Sequence, residues 1–205
     1  ATLQRVDRYG HQIVEEVLRA AERTSGTTLN EPASREQFLN LLRTRIAPAT
    51  IARAAVRGLV AKGGEVAIWG LNWPAISAAG DGRRGPMPYG EPLNRILNAA
   101  ECVVLPWMSM TAVRLALDTL AAGAPVILRS SEESFLSEHP GLSSVAGFLS
   151  FYQTMRELTD AVRRMRSQGE SRQERTEAAV AEIQANHSVA RRLIAIVARL
   201  REQQG

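Results

Sequence analysis

Two apolar runs with a helix between them constrain this chain more than anything else in it. Glu101-Cys102-Val103-Val104-Leu105-Pro106 has the composition of a buried strand, and Arg114 to Ala122 reads as a helix. Gly123 stops that helix, and Pro125-Val126-Ile127 starts a second buried strand. Short apolar runs separated by a helix and a glycine stop describe parallel strands joined by a crossover. In open α/β sheets a ligand sits where the strand ends and the helix begins. Here that junction is Trp107-Met108-Ser109-Met110-Thr111, and the helix it opens carries Arg114 and Asp118 one turn apart on one face. A cation and a carboxylate above the free amides of a helix N-terminus suit a phosphorylated ligand that also bears hydroxyls.

The same alternation runs through the middle of the chain. Glu65-Val66-Ala67-Ile68-Trp69-Gly70 is a β-type run ending in glycine. Residues 71–90 are rich in Gly and Pro and read as loop, with a brief strand at Pro86 to Tyr89. Pro92 fits the first turn of a helix through Ala100. Strand 102–105, helix 110–122 and strand 125–129 follow, then a short helix near Glu132 to Ser137 and a strand around Val145 to Leu149. The expected fold class is α/β, a Rossmann-like parallel sheet flanked by helices, with a helical N-terminal segment. Strand 102–105 is expected beside both 65–69 and 125–129.

Residues 2–22 carry a helical stripe through Val6, Ile13, Val14, Val17, Leu18 and Ala21. Ser34-Arg35-Glu36-Gln37 has capping-box spacing and opens a second helix through Phe38, Leu41 and Leu42. Pro48 breaks that helix and suits the first turn of a third, which ends at Gly63-Gly64. Thr154-Met155-Arg156-Glu157 and Ser171-Arg172-Gln173-Glu174 are further capping-box matches. A last helix from Ser188 to about Glu202 is entered through Asn186-His187, and its stripe of Val189, Leu193, Ile196, Val197 and Leu200 requires cover. The expected division is a helical segment over 1–63 and a Rossmann-like domain over 64–205.

Composition narrows the function. With 45% hydrophobic residues in 205 and no apolar run of transmembrane length, the chain reads as well cored and cytoplasmic. The start, Ala1 to Arg8, is polar and shows no signal-peptide pattern. Cys102 is the single cysteine and sits in a strand pattern, so it reads as a buried thiol. The net charge is +4, and of the 25 basic residues only Lys62 is lysine. The arginine skew fits a GC-rich bacterial genome, and no basic run is interleaved with aromatics, which argues against nucleic acid. The three histidines are isolated, so no metal-ligand spacing arises. Among them, His187 reads as a helix-entry cap or core contact, His139 as a surface-turn residue, and His11 as inert.

The order Gly70-x-x-Trp73, Gly90-Glu91, Leu97-Asn98-Ala99-Ala100-Glu101, Val104-Leu105-Pro106, Arg114, Asp118 and Ala122-Gly123-Ala124-Pro125-Val126-Ile127 carries a resemblance. With Asn186-His187-Ser188 and Arg191-Arg192-Leu193 behind it, it resembles the C-terminal, donor-binding half of GT-B glycosyltransferases, closest to the group 1-like, spore-maturation type. The resemblance implies transfer of a sugar from a nucleotide-diphosphate sugar, with no cofactor beyond that donor. It implies that Gly70, Asn72 and Trp73 border the sugar and phosphates, and that Tyr89 and Gly90 line the nucleoside side. Ser109 and Thr111 would face the diphosphate with Arg114 beside it, and Asp118 would meet the ribose. Asp118 stands where the family usually carries a glutamate. The implied partners are the nucleotide sugar, a glycan or protein acceptor, and an N-terminal GT-B domain or partner chain that brings the catalytic base. The alternative is a non-catalytic nucleotide-, glycan- or protein-binding module built on the same half-fold.

Overall fold

A computed structural model describes residues 10–70, 73, 82–107, 109–167 and 169–202. They fall into two compact units, Ala1–Met87 with Gln153–Thr159 and Pro88–Tyr152 with Asp160–Gly205.

The first unit opens with α1 (Gly10–Ser25) and α2 (Pro32–Leu41). Leu18, Leu39 and Leu42 bury against Val17, Leu29 and Phe38. Arg35 clamps the two helices, reaching Glu15 at 2.8 Å and Glu22 at 2.9 Å. Ser34 is not the cap its spacing suggested. Pro32 already occupies the first turn, so Glu31 stands at the cap and accepts the Ser34 hydroxyl at 2.6 Å. Nor does Pro48 break the chain. A wide π-type turn, Leu42–Ile46, leads directly into α3 (Ala47–Val60) with Pro48 in its first turn. Widening the turn accommodates a ring that would otherwise meet the carbonyl four residues back. Beyond α3 the Gly64 N–H donates to Leu59 O and the Gly63 N–H to Val60 O. This crossed pair requires the left-handed residue that Gly63 supplies at φ 75°.

The strand expected at 65–69 is reduced to β1 (Ile68–Trp69), and its partner is β2 (Arg83–Gly85), in parallel. No strand forms at 86–89, where Pro86 and Pro88 lack the N–H a ladder needs. Ile68 is buried with Val56.

In the second unit α4 (Glu91–Ala99) precedes β3 (Val103–Leu105), α5 (Met110–Ala121) and β4 (Val126–Arg129). After β4 come α6 (Glu132–Glu138), α7 (Ser143–Ala146) and β5 (Leu149–Tyr152). The three strands form one parallel sheet in the order β3-β4-β5. Val126, Ile127 and Leu128 of the central strand are wholly buried, the pattern of a strand covered on both faces. Val103–Leu105 pairs with Val126–Leu128, the one of its two expected neighbours that lies in the same unit. Val145 belongs to a helical turn rather than a strand: its complete burial comes from packing on the core.

On α5, Val113, Ala116, Thr119 and Leu120 face the core, and the buried Thr119 hydroxyl donates to Leu115 O at 2.6 Å. Gly123, at φ 82°, ends the helix with the same crossed bonds, Ala124 N–H to Thr119 O and Gly123 N–H to Leu120 O. Next comes α8 (Met155–Ser167), whose start is a working capping box: the Glu157 N–H donates to Thr154 Oγ1 while Glu157 accepts from the Thr154 and Gln153 amides. Then α9 (Gly169–Glu182) begins ahead of Ser171, which lies inside its first turn rather than at the cap. A second π-type turn, Ile183–His187, leads to α10 (Val189–Glu202). Val189, Leu193, Ile196, Val197 and Leu200 are 46–74% exposed.

Candidate functional site

The junction between β3 and α5 is where the sequence concentrates polar groups. Ser109 sits in extended backbone at the helix N-cap, and its Oγ accepts the Ala112 N–H at 3.1 Å. The Ser109 carbonyl accepts the Val113 N–H at 2.9 Å. Helix geometry leaves the Met110 and Thr111 amides without an intrahelical acceptor, at the positive end of a 12-residue helix. Thr111, Arg114 and Asp118 then follow at i, i+3 and i+7 along one exposed side of α5. Arg114 Nε lies 3.9 Å from Asp118 Oδ2, with the side chains 82% and 52% exposed. A pair this open and this long is worth about 0–1 kcal/mol, so neither group is tied up by the other. Met108 lies outside the described residues, and Trp107 is half-buried.

The other expected site residues divide. Tyr89 is 87% exposed and Gly90 caps α4 at φ 70° and ψ −140°, a conformation suited to glycine. Among the described residues no hydrogen bond or ion pair joins Tyr89 or Gly90 to the α5 group. Gly70 and Trp73 belong to the first unit. There the Trp73 indole N–H donates to Trp69 O at 3.2 Å, and a Cβ on Gly70 would fall 2.9 Å from that nitrogen. Gly70 is thus explained by the tryptophan folded over it, at φ 131°. Asn72 lies outside the described residues. The structure brings together Ser109, Thr111, Arg114 and Asp118, all on one helix.

One polar cluster had no signal in the sequence. The Ser144 hydroxyl lies 3.2 Å from His187 Nε2, and Glu182 Oε1 is 3.7 Å from the same nitrogen. A nucleophile–base–acid relay needs the acid on the other ring nitrogen, so this is a structural joint between α7 and the turn before α10. The Ser144 hydroxyl and the Asn186 amide, then His187, hold the Glu182 carboxyl below the usual carboxylate range. His187, read from the sequence as a helix-entry cap or core contact, instead makes this polar contact with a partner 43 residues away. His139 is half-buried, its ring 5.4 Å from that of Phe135 and tilted 57° to it; the side chain of His11 lies outside the description. Cys102 is half-buried, and burial, then the Glu101 charge, pushes its thiol up, away from the reactive thiolate.

Among the described residues no group of three or more His, Cys, Asp or Glu side chains is arranged to hold a metal, and no helix is long and apolar enough to cross a membrane. A family model described as glycosyl transferase-like matches residues 43–198, from the first π-type turn to well inside α10. The chain belongs to this glycosyl transferase-like family. The family places its chemistry in glycosyl transfer, and the match takes in all nine expected site residues. No curated protein and no solved structure matches the chain.

Proposed function

We propose that this glycosyl transferase-like chain binds the nucleotide-diphosphate sugar of a GT-B-type enzyme, with the diphosphate at the N-terminus of α5. The observation that carries the reading is the Ser109-capped helix end with two spare amides and the exposed Thr111, Arg114 and Asp118 beyond it. Fixed amides and a cation stabilise a diphosphate as it leaves, because the charge they face grows in the transition state. Asp118 lies about 11 Å along the helix from those amides at 1.5 Å per residue, a reach suited to a ribose when the diphosphate lies at the helix end. The base and acceptor site then come from a second domain or a partner chain. The runner-up, a binding module that has no transferase chemistry of its own, shares this site.

Isothermal titration with uridine, guanosine and adenosine diphosphates tests the site. Arg114→Ala and Asp118→Ala should each lose a charged hydrogen bond, about 1.5–3 kcal/mol or roughly ten- to hundredfold in affinity. A folded parent chain that binds none of the three at millimolar concentration refutes the reading. Equal affinity in parent and both variants places the nucleotide elsewhere.

A further inference from the structure

A cavity of about 10 Å³, room for about one water molecule, lies between α9 and the amino ends of β4 and β5. Arg172, Arg175 and Thr176 of α9 supply its polar side chains, and Pro125, Phe148 and Met165 are among its apolar walls. The two guanidiniums only donate, the hydroxyl can donate, and no carboxylate lines the space.

Arg175 is anchored, with Nη2 donating to Gly147 O at 2.9 Å and to Leu149 O at 3.1 Å. Arg172 is half-buried, and among the described residues no hydrogen bond or ion pair reaches it. Thr176 stands equally bare. Thr24, Thr44, Thr50 and Thr119 each donate to the carbonyl four residues back, whereas the half-buried Thr176 hydroxyl has no hydrogen bond to any described residue.

The helix keeps its acids off this side. Positions 172, 175, 176 and 179 follow at three- and four-residue steps, while Glu174 and Glu177 are exposed away from them. Nearby, Arg166 is answered by Glu101 at 2.8 Å. Burial and then the Glu101 charge push the Cys102 thiol up, while Arg166 and Arg172 pull it down, so the Arg172 charge is felt at the start of β3. A half-enclosed guanidinium and hydroxyl without acceptors lack the partners that buried polar groups ordinarily have, and an anion supplies both at once.

We propose that this cavity takes the carboxylate of a small monocarboxylate, with Arg172 and Thr176 holding its oxygens and its apolar stem resting on Pro125, Phe148 and Met165. The enclosed space admits one oxygen and not a tetrahedral phosphate, and its apolar walls favour a stemmed carboxylate over a bare halide. The site lies about 16 Å along α5 from the helix end assigned to the diphosphate, and it does not depend on that reading.

Titration of the 15N-labelled full chain with sodium butyrate, against sodium chloride at equal ionic strength, tests it by two-dimensional NMR. The expected result is saturable shifts of the Arg172, Thr176 and Phe148 signals, half-complete at about 1–10 mM, the order that one charged hydrogen bond and a short apolar stem give. Acetate should bind more weakly, by up to about fourfold for each methylene removed. Arg172→Gln should weaken butyrate binding by about tenfold or more, and Thr176→Val, which keeps the side-chain shape, by about two- to tenfold. The dispersion of the same spectra checks that both variants stay folded. No saturable shift up to about 50 mM butyrate overturns the proposal. Equal shifts with chloride, or butyrate binding that both variants leave unchanged, overturn it as well.

Discussion

Ser109 separates helix stability from ligand binding, because one side chain stands in both. Its Oγ accepts the Ala112 N–H at 3.1 Å, so Ser109→Ala removes the cap of α5 and should cost about 1 kcal/mol, within the 0.5–2 kcal/mol that lost caps cost. For a chain of this length that is about 2–4 °C in melting temperature. Ser109→Gly should cost only a few tenths of a kcal/mol. Ser109→Asp keeps an acceptor at the cap and adds a negative charge at the positive helix end, so it should melt at or above the parent. Nucleotide affinity should follow another order. Alanine leaves the Met110 and Thr111 amides in place and should cost at most about tenfold, the worth of one neutral hydrogen bond. Aspartate sets a like charge about 5 Å from the diphosphate, worth about 1–3 kcal/mol between bulk-water and near-surface screening, or roughly five- to hundredfold. Thermal melts and titration with uridine diphosphate read the two orders on the same preparations. An alanine variant that melts with the parent removes the cap from the account. An aspartate variant that binds as tightly as the parent removes the diphosphate from this helix end.

Other sites give sharper single outcomes. Gly70→Ala places a methyl 2.9 Å from the Trp73 indole nitrogen at φ 131°, so urea unfolding should show a loss of about 1–3 kcal/mol; an unchanged midpoint contradicts the geometry. Glu182 has a folded pKa below its ordinary value of 4.5, so its contribution is present above that value and disappears as pH falls through the lower folded one. Glu182→Gln should therefore flatten the acid limb of a stability–pH curve below about pH 4.5, and an acid limb identical to the parent's refutes the linkage. Asp118→Glu adds one methylene and should tighten nucleotide binding if the carboxylate meets ribose hydroxyls. Unchanged affinity leaves Asp118 only its contact with Arg114.

The elements read correctly from the sequence are those whose burial is one-sided or complete. Val126-Ile127-Leu128 reads as an inner strand because every residue in it is apolar, and the structure buries all three fully. The α5 period shows in the same way, with Val113, Ala116 and Leu120 inward and Arg114 and Asp118 outward. β2 was illegible: Arg83 and Arg84 are exposed and the strand is held through backbone bonds such as Gly70 N–H to Gly85 O at 2.7 Å, which leave no mark on side-chain pattern. Val145 shows the converse limit, since apolar character signals burial without telling a strand from a helical turn. Ser34 and Ser171 show that a four-residue motif yields to its surroundings: Pro32 starts α2 earlier than the capping box would, and α9 begins before its box.

The site divides along the same line. Ser109, Thr111, Arg114 and Asp118 were legible because a helix turns spacing into proximity, and all four lie within 10 residues of one element. The Ser144–His187 contact was not, because 43 residues separate its partners and only the packing of α7 against the turn after α9 joins them. α10 lies between these cases. Its amphipathic stripe was plain in the sequence, but periodicity does not say whether residues 1–60 or a further domain covers it. An apolar side has to leave water, and a bilayer or a second chain removes it from water as well as a neighbouring helix does.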